Sequence, residues 1–128
     1  MASESPAPAL RLSHVALVTE ALAAMTDFYG RVFGMRVVWQ PDADNVYLSH
    51  GSDNLALHRG HRTAGGALDH IGFVVDTPAA VDAWSLRLTA CGVTVTAPPK
   101  THRDGVRSLY CRDPDGNLIQ VLCLSTDP

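Results

Sequence analysis

Two histidines stand at matching places in two stretches that copy one another. Leu12-Ser13-His14-Val15-Ala16-Leu17-Val18 returns as Leu68-Asp69-His70-Ile71-Gly72-Phe73-Val74, and each run leads through an acidic residue into an alanine-rich helical pattern. A strand histidine standing alone is more often a hydrogen-bonded core or rim residue than a ligand-binding one. Repetition at equivalent positions reverses that expectation for His14 and His70, which are placed to face a shared space. A histidine pair facing one space is a candidate site, because a neutral imidazole carries a lone pair on one ring nitrogen and a proton on the other. Other reactive arrangements are missing: there is no Gly-x-Ser-x-Gly, no cysteine with an activating base nearby in sequence, and no phosphate-cradling glycine loop.

The elements that carry these histidines repeat as well. His14 to Thr19 is mostly apolar and β-branched, as a strand should be. From Ala21 to Phe33 the period changes to helical, with Leu22, Met25, Phe28, Tyr29 and Val32 on one stripe and Gly34 as the stop. Strands follow over Met35 to Gln40, Val46 to Ser49 and Asn54 to His58, the last two joined by a turn through Gly51-Ser52-Asp53. The second copy runs His70 to Val75 as a strand and then a helix from Pro78 through Val81, Trp84 and Leu88 to about Cys91-Gly92. Strands over Val93 to Thr96, Arg107 to Cys111 and Leu118 to Leu124 complete it, with Asp113-Pro114-Asp115-Gly116-Asn117 as a turn and nothing more. Arg59 to Ala67, glycine-rich and polar, links the copies. The expected fold is α+β: two tandem βαβββ modules, 10–60 and 68–126, whose sheets form a concave cup, after a short disordered lead-in over 1–9.

Composition sets outer bounds. The 128 residues, 46% hydrophobic, suit one compact domain with a real core. A net charge of −3 without a basic cluster argues against nucleic acid or an anionic membrane as partner, and no apolar run reaches the roughly 20 residues that span a bilayer. The three cysteines, Cys91, Cys111 and Cys123, lack metal-ligand spacing and sit in apolar runs. They read as buried thiols, and with no leader pattern at the N-terminus a cytoplasmic setting is expected.

Together "SHVAL", "DHIGF", "FYGRVFGMRVV" and "DPDGNLIQV" give the chain, from Leu12 to Leu124, a resemblance to the vicinal oxygen chelate superfamily. That superfamily holds glyoxalase I, type I extradiol dioxygenases, methylmalonyl-CoA epimerase, fosfomycin-resistance enzymes and bleomycin-binding proteins. One scaffold there carries many chemistries, so the resemblance points to a fold before it points to a reaction. It also implies a homodimer, and leaves open whether a site lies within one chain or across two.

Strand parity says where the side chains go. His14, Ala16 and Val18 share one face of the first strand, as do His70, Gly72 and Val74 in the second copy, with the bulkier apolar set turned to the helix. By the same parity Ala56 and His58 face the cup, together with Leu118, Gln120 and Leu122. In the resembling enzymes the metal ligands come from the two first strands and the two fourth strands. Matched residue by residue, His14 and His70 take the first-strand positions and Gln120 falls where a glutamate usually stands. Ala56, the best match for the remaining ligand, has no donor atom; His58, two residues on, is the substitute. The resemblance thus implies a divalent ion (Fe, Zn, Ni, Co or Mn) on His14, His70, Gln120 and His58, with a neutral amide in place of a carboxylate. Tyr110, Tyr47 and Trp39 are candidate walls for a ligand, and Arg107 and Arg103 are candidate anchors for an anionic one.

Two function classes follow. The first is a small metal-dependent enzyme, a lyase, isomerase or oxygenase acting on a small molecule with adjacent oxygens, in which the ion serves as a Lewis acid. The missing carboxylates weaken the glyoxalase and epimerase readings, because in those enzymes a ligand glutamate also moves the proton, and "NLALHRG" is similar to dioxygenase-like members. The second is a metal-free protein that sequesters a flat or aromatic molecule in the same cup, as bleomycin-resistance proteins do.

Overall fold

The computed structural model describes residues 6, 7, 9, 11–62, 66 and 68–124. The lead-in expected over 1–9 and the linker residues 63–65 and 67 therefore fall wholly or largely outside the described residues. The element order is β1 (His14–Thr19), α1 (Leu22–Arg31), β2 (Arg36–Asp42), β3 (Asn45–Ser49), β4 (Asn54–Arg59), then β5 (His70–Val74), α2 (Pro78–Ala90), β6 (Val95–Thr101), β7 (Arg107–Arg112) and β8 (Leu118–Cys123). This is βαβββ twice. Each copy makes its own four-stranded sheet, in the orders β1-β4-β3-β2 and β5-β8-β7-β6. In each, the first strand runs parallel to the fourth and the remaining pairs are antiparallel.

Each sheet packs one face on its own helix. Leu22, Met25, Phe28 and Tyr29 of α1 recur three or four residues apart and bury against Leu17, Val46, Leu48, Leu55 and Leu57. In the second copy Val81 and Leu88 of α2 meet Leu109, Cys111, Ile119, Val121 and Cys123. Thr77 caps α2 by accepting the Ala80 N–H, with Pro78 in the first turn, where its missing N–H has no helical partner to lose. Both helices give way to a glycine in the left-handed region, Gly34 at φ +73° and Gly92 at φ +78°, where a side chain would be strained.

One strand departs from the expected bounds. β6, expected over Val93 to Thr96, forms instead over Val95–Thr101 and carries Pro98 and Pro99. It lies at the sheet edge and pairs only with β7, with register shifts between Val95 and Lys100, so prolines without an N–H are accommodated there.

The two copies are joined by side chains rather than by a shared ladder. Phe33, just after α1, stacks on Phe73 of β5 at 5.0 Å and on Trp84 of α2 at 5.3 Å between ring centroids. Arg87 of α2 donates through Nε to the Val32 carbonyl at 3.0 Å. The Tyr29 hydroxyl donates to Asp113 Oδ2 at 2.7 Å. Cys111 and Cys123 are buried and Cys91 half-buried, all as free thiols, and burial pushes the Cys111 thiol up to about 11.

Candidate functional site

The register puts the expected residues on the sheet faces turned away from the helices. On the first sheet His14 lies opposite Asn54, Ala16 opposite Ala56 and Val18 opposite His58. On the second His70 lies opposite Leu118, Gly72 opposite Gln120 and Val74 opposite Leu122. Alternation along β1 is visible in the burial, with Leu17 buried and Ala16 and Val18 exposed.

His14 and His70 line one cleft of about 400 Å3 where the starts of β1 and β5 approach, with Leu12, Val15, Ile71 and Phe73 as apolar walls. Both rings are held in the same way. His14 Nδ1 lies 2.7 Å from Asn54 Oδ1, and His70 Nδ1 lies 2.7 Å from Asp69 Oδ2. An acceptor at Nδ1 places the proton there and leaves the Nε2 lone pair of the neutral ring to face a ligand. Neither Nε2 has a hydrogen-bond partner among the described residues. The positions were legible in the sequence; these orienting partners were not singled out.

The remaining candidates do not join them within one chain. Gln120 and Tyr110 line a separate cavity of about 660 Å3 under the β6–β7 hairpin. Tyr110 still reaches toward His70, with ring centroids 6.1 Å apart. His58 stands further along β4, its Nδ1 2.6 Å from Asn45 Oδ1. Its ring meets Tyr47 edge-on at 5.7 Å, and Tyr47 meets Trp39 at 5.0 Å, so Trp39, Tyr47 and His58 form an aromatic row across the first sheet. Among the described residues no three His, Cys, Asp or Glu side chains come close enough together to hold a metal ion. The donor set therefore fits a divalent ion in part. Two oriented imidazoles suit it, Gln120 offers a neutral oxygen from another cavity, and Ala56, fully buried between Ala16 and Tyr47, offers nothing.

Arg107 is engaged elsewhere. It lies opposite Cys123, on the helix side of β7, and grips Asp82 of α2 through two hydrogen bonds of 3.2 and 2.7 Å. That grip holds the Asp82 carboxyl below its ordinary range, and Arg107 is directed to α2 instead of to the mouth of the cup. The alternative anion anchor, Arg103, lines the Gln120 cavity together with Lys100.

His50, just after β3, also has a defined place. His50 Nδ1 is 2.9 Å from Asp53 Oδ2 and its Nε2 is 2.7 Å from the Phe33 carbonyl, with Phe73 edge-on at 5.9 Å. Both partners are acceptors, so both ring nitrogens must donate and the ring must carry a charge. Partial burial pulls its pKa down, but the bonds to Phe33 and Asp53 together outweigh it, and the net shift is upward. The signal in sequence was the His50–Asp53 spacing across the turn.

Comparison with known proteins agrees with this fold. The model of the Glyoxalase/Bleomycin resistance protein/Dioxygenase superfamily matches residues 11–121, and the chain belongs to that family. Among solved structures it is similar to a lactoylglutathione lyase from Agrobacterium tumefaciens, with TM-score 0.78, 27% identity, and coverage of 91% of this chain and 96% of that one. It is also similar to an integron cassette protein from the mobile metagenome of V. cholerae, with TM-score 0.72, 28% identity, and coverage of 94% and 100%. A glyoxalase/bleomycin resistance protein/dioxygenase from Nocardioides shares the fold at TM-score 0.79 and 18% identity, with coverage of 96% and 89%. Among the described residues no helix is long and apolar enough to cross a membrane.

Proposed function

We propose that this chain is a small metal-dependent enzyme of its superfamily, acting on a small molecule that presents adjacent oxygens. The observation that supports this most is the matched pair His14 and His70. They hold equivalent positions, line one cleft, and each has Nδ1 engaged and Nε2 without a partner among the described residues. His14 and His70 would hold a divalent ion, which would supply Lewis acidity toward an oxygen of the ligand. The chain's own residues do the rest: Asn54 and Asp69 orient the two rings, and Val15, Ile71 and Phe73 give the cleft apolar walls. The lyase from Agrobacterium makes glutathione conjugates of 2-oxoaldehydes one substrate class to try, and catechols are another.

A homodimer belongs to the same reading. The open sheet faces leave Val18 47%, Trp39 59% and Val74 61% exposed, more apolar surface than strand centres usually show to solvent. A second copy laid on these faces is a way to bring Gln120 and His58 toward the histidine pair.

A metal-free binder is the second reading. It is favoured by buried Ala56 at a ligand position and by the Trp39–Tyr47–His58 row, a flat surface for an aromatic guest. The test is turnover by protein loaded in turn with Fe(II), Zn, Ni, Co or Mn, using methylglyoxal plus glutathione and then a catechol, beside His14→Ala and His70→Ala. Metal-dependent turnover lost in both variants supports the enzyme. No turnover by any loaded form, with saturable binding of an aromatic ligand that both variants retain, supports the binder instead.

A further inference from the structure

We propose that the cavity under the β6–β7 hairpin is an oxyanion site that takes the phosphate or carboxylate group of a small anionic ligand. Six residues carry the proposal: Lys100, His102, Arg103, Asp104, Tyr110 and Gln120, all lining one space of about 660 Å3. It rests on the reading that this chain binds a small molecule, and on neither metal nor catalysis.

The cations are the first observation. The chain has nine arginines and one lysine. Arg31, Arg59, Arg62 and Arg107 are paired with carboxylates, and Arg87 and Arg112 donate to backbone carbonyls. Arg11, Arg36, Arg103 and Lys100 have no such partner among the described residues, and of these Arg103 and Lys100 line the same cavity. The lone carboxylate in the lining, Asp104, has Oδ1 occupied by the Val106 N–H at 3.0 Å. Two positive groups against one committed carboxylate leave the space net positive inside a chain whose formal charge is −3. Such a cavity concentrates anions.

The neutral donors are the second, independent observation. Tyr110 and Gln120 are half-buried and lie opposite each other on adjacent strands, β7 and β8. Neither the Tyr110 hydroxyl nor the Gln120 amide has a hydrogen-bond partner among the described residues. Both groups are therefore available to a ligand that enters the cavity. An oxyanion has acceptors only, so it answers a hydroxyl, an amide N–H, an ammonium and a guanidinium at once. His102 fixes the hairpin that carries the cations, through Nε2 to Ser108 Oγ at 3.1 Å and a backbone bond to Val106.

The experiment is an NMR titration of the full chain with inorganic phosphate and, separately, with acetate, each against sodium chloride of matched ionic strength. The expected result is saturable shifts of the 101–106 amides and of the Gln120 side-chain amide. The dissociation constant should rise about tenfold or more in Lys100→Gln and in Arg103→Gln, the size expected for one charged hydrogen bond. It should not change in Arg36→Gln, an exposed arginine outside the cavity. The anion that saturates at the lower concentration identifies phosphate or carboxylate as the group recognised. No saturation beyond the chloride control, saturation that survives both substitutions, or shifts confined to other residues would each overturn the proposal. Metal content of the same samples separates the two readings. Metal-loaded protein that ignores both anions overturns this inference alone. Anion binding by protein that takes no metal leaves the inference standing and overturns the metal reading.

Discussion

Tyr29 and Asp113, 84 residues apart, meet in a buried hydrogen bond of 2.7 Å that ties the helix of one copy to a turn of the other. Asp113 is also the hub of its own turn, accepting the Asp115 and Asn117 N–H groups on Oδ1 and the Asn117 amide on Oδ2. Burial, and then the Asp113 charge, pushes the Tyr29 phenol far above its ordinary value, so it stays a donor at any working pH. Tyr29→Phe removes one donor from a buried carboxylate and should cost about 1–3 kcal/mol of stability in urea denaturation. A change below about 0.5 kcal/mol, the usual scatter of surface substitutions, would show that the bond does not hold the copies together.

Phe33 does the apolar part of that joining, stacked between Phe73 and Trp84. Phe33→Ala should cost about 3–5 kcal/mol, as truncation of a buried aromatic does. The Trp84 fluorescence should shift to longer wavelength in the same variant. Loss of stability without a Trp84 shift would place the effect within the first copy alone.

His50 makes stability depend on pH, and the sign follows from its two acceptors. Its pKa is raised in the folded chain above the ordinary 6.5, so its contribution is complete below that value and is lost as pH rises through the folded pKa. Partial burial raises the Asp53 carboxyl, but the bonds from His50 together lower it, so its net shift is below the ordinary 3.8. Its share is complete above 3.8 and is lost as pH falls through the lowered value. The stability gap between the parent and His50→Gln should therefore be widest between these limits and narrow at pH above 6.5. Urea midpoints at one pH between 3.8 and 6.5 and at another well above 6.5 measure it, and an unchanging gap between the two would mean that His50 is not charged in the fold.

The duplication, both modules and the strand faces were legible because a period of 2 repeated in matched strands leaves little freedom in which residues face the helix. The histidine positions followed directly from that parity. What the chain order hides is any partner set by how the copies dock: Tyr29 with Asp113, and the Phe33 carbonyl with His50. Arg107 shows the same limit within one copy. Its partner Asp82 lies on a helix 25 residues earlier, and a cation expected at the cup mouth turned to the other face of its strand. β6 runs past Thr96 through Pro98 and Pro99 to Thr101, because an edge strand can hold prolines that a central strand cannot.

Gln120 is the donor most open to improvement if a metal is held nearby. Gln120→Glu replaces a neutral oxygen by a charged one and should raise affinity for a divalent ion about tenfold or more, read by competition with a chromogenic chelator. Unchanged affinity would remove Gln120 from the ligand set and leave it to the anion site alone.

The most direct measurement is elemental analysis of untagged protein purified without chelators, beside His14→Ala and His70→Ala. Near-stoichiometric metal in the parent, lost in each variant, is the predicted result. A parent that takes up none of Fe(II), Zn, Ni, Co or Mn on incubation would contradict the metal-dependent enzyme and leave the cleft as a ligand-sequestering site.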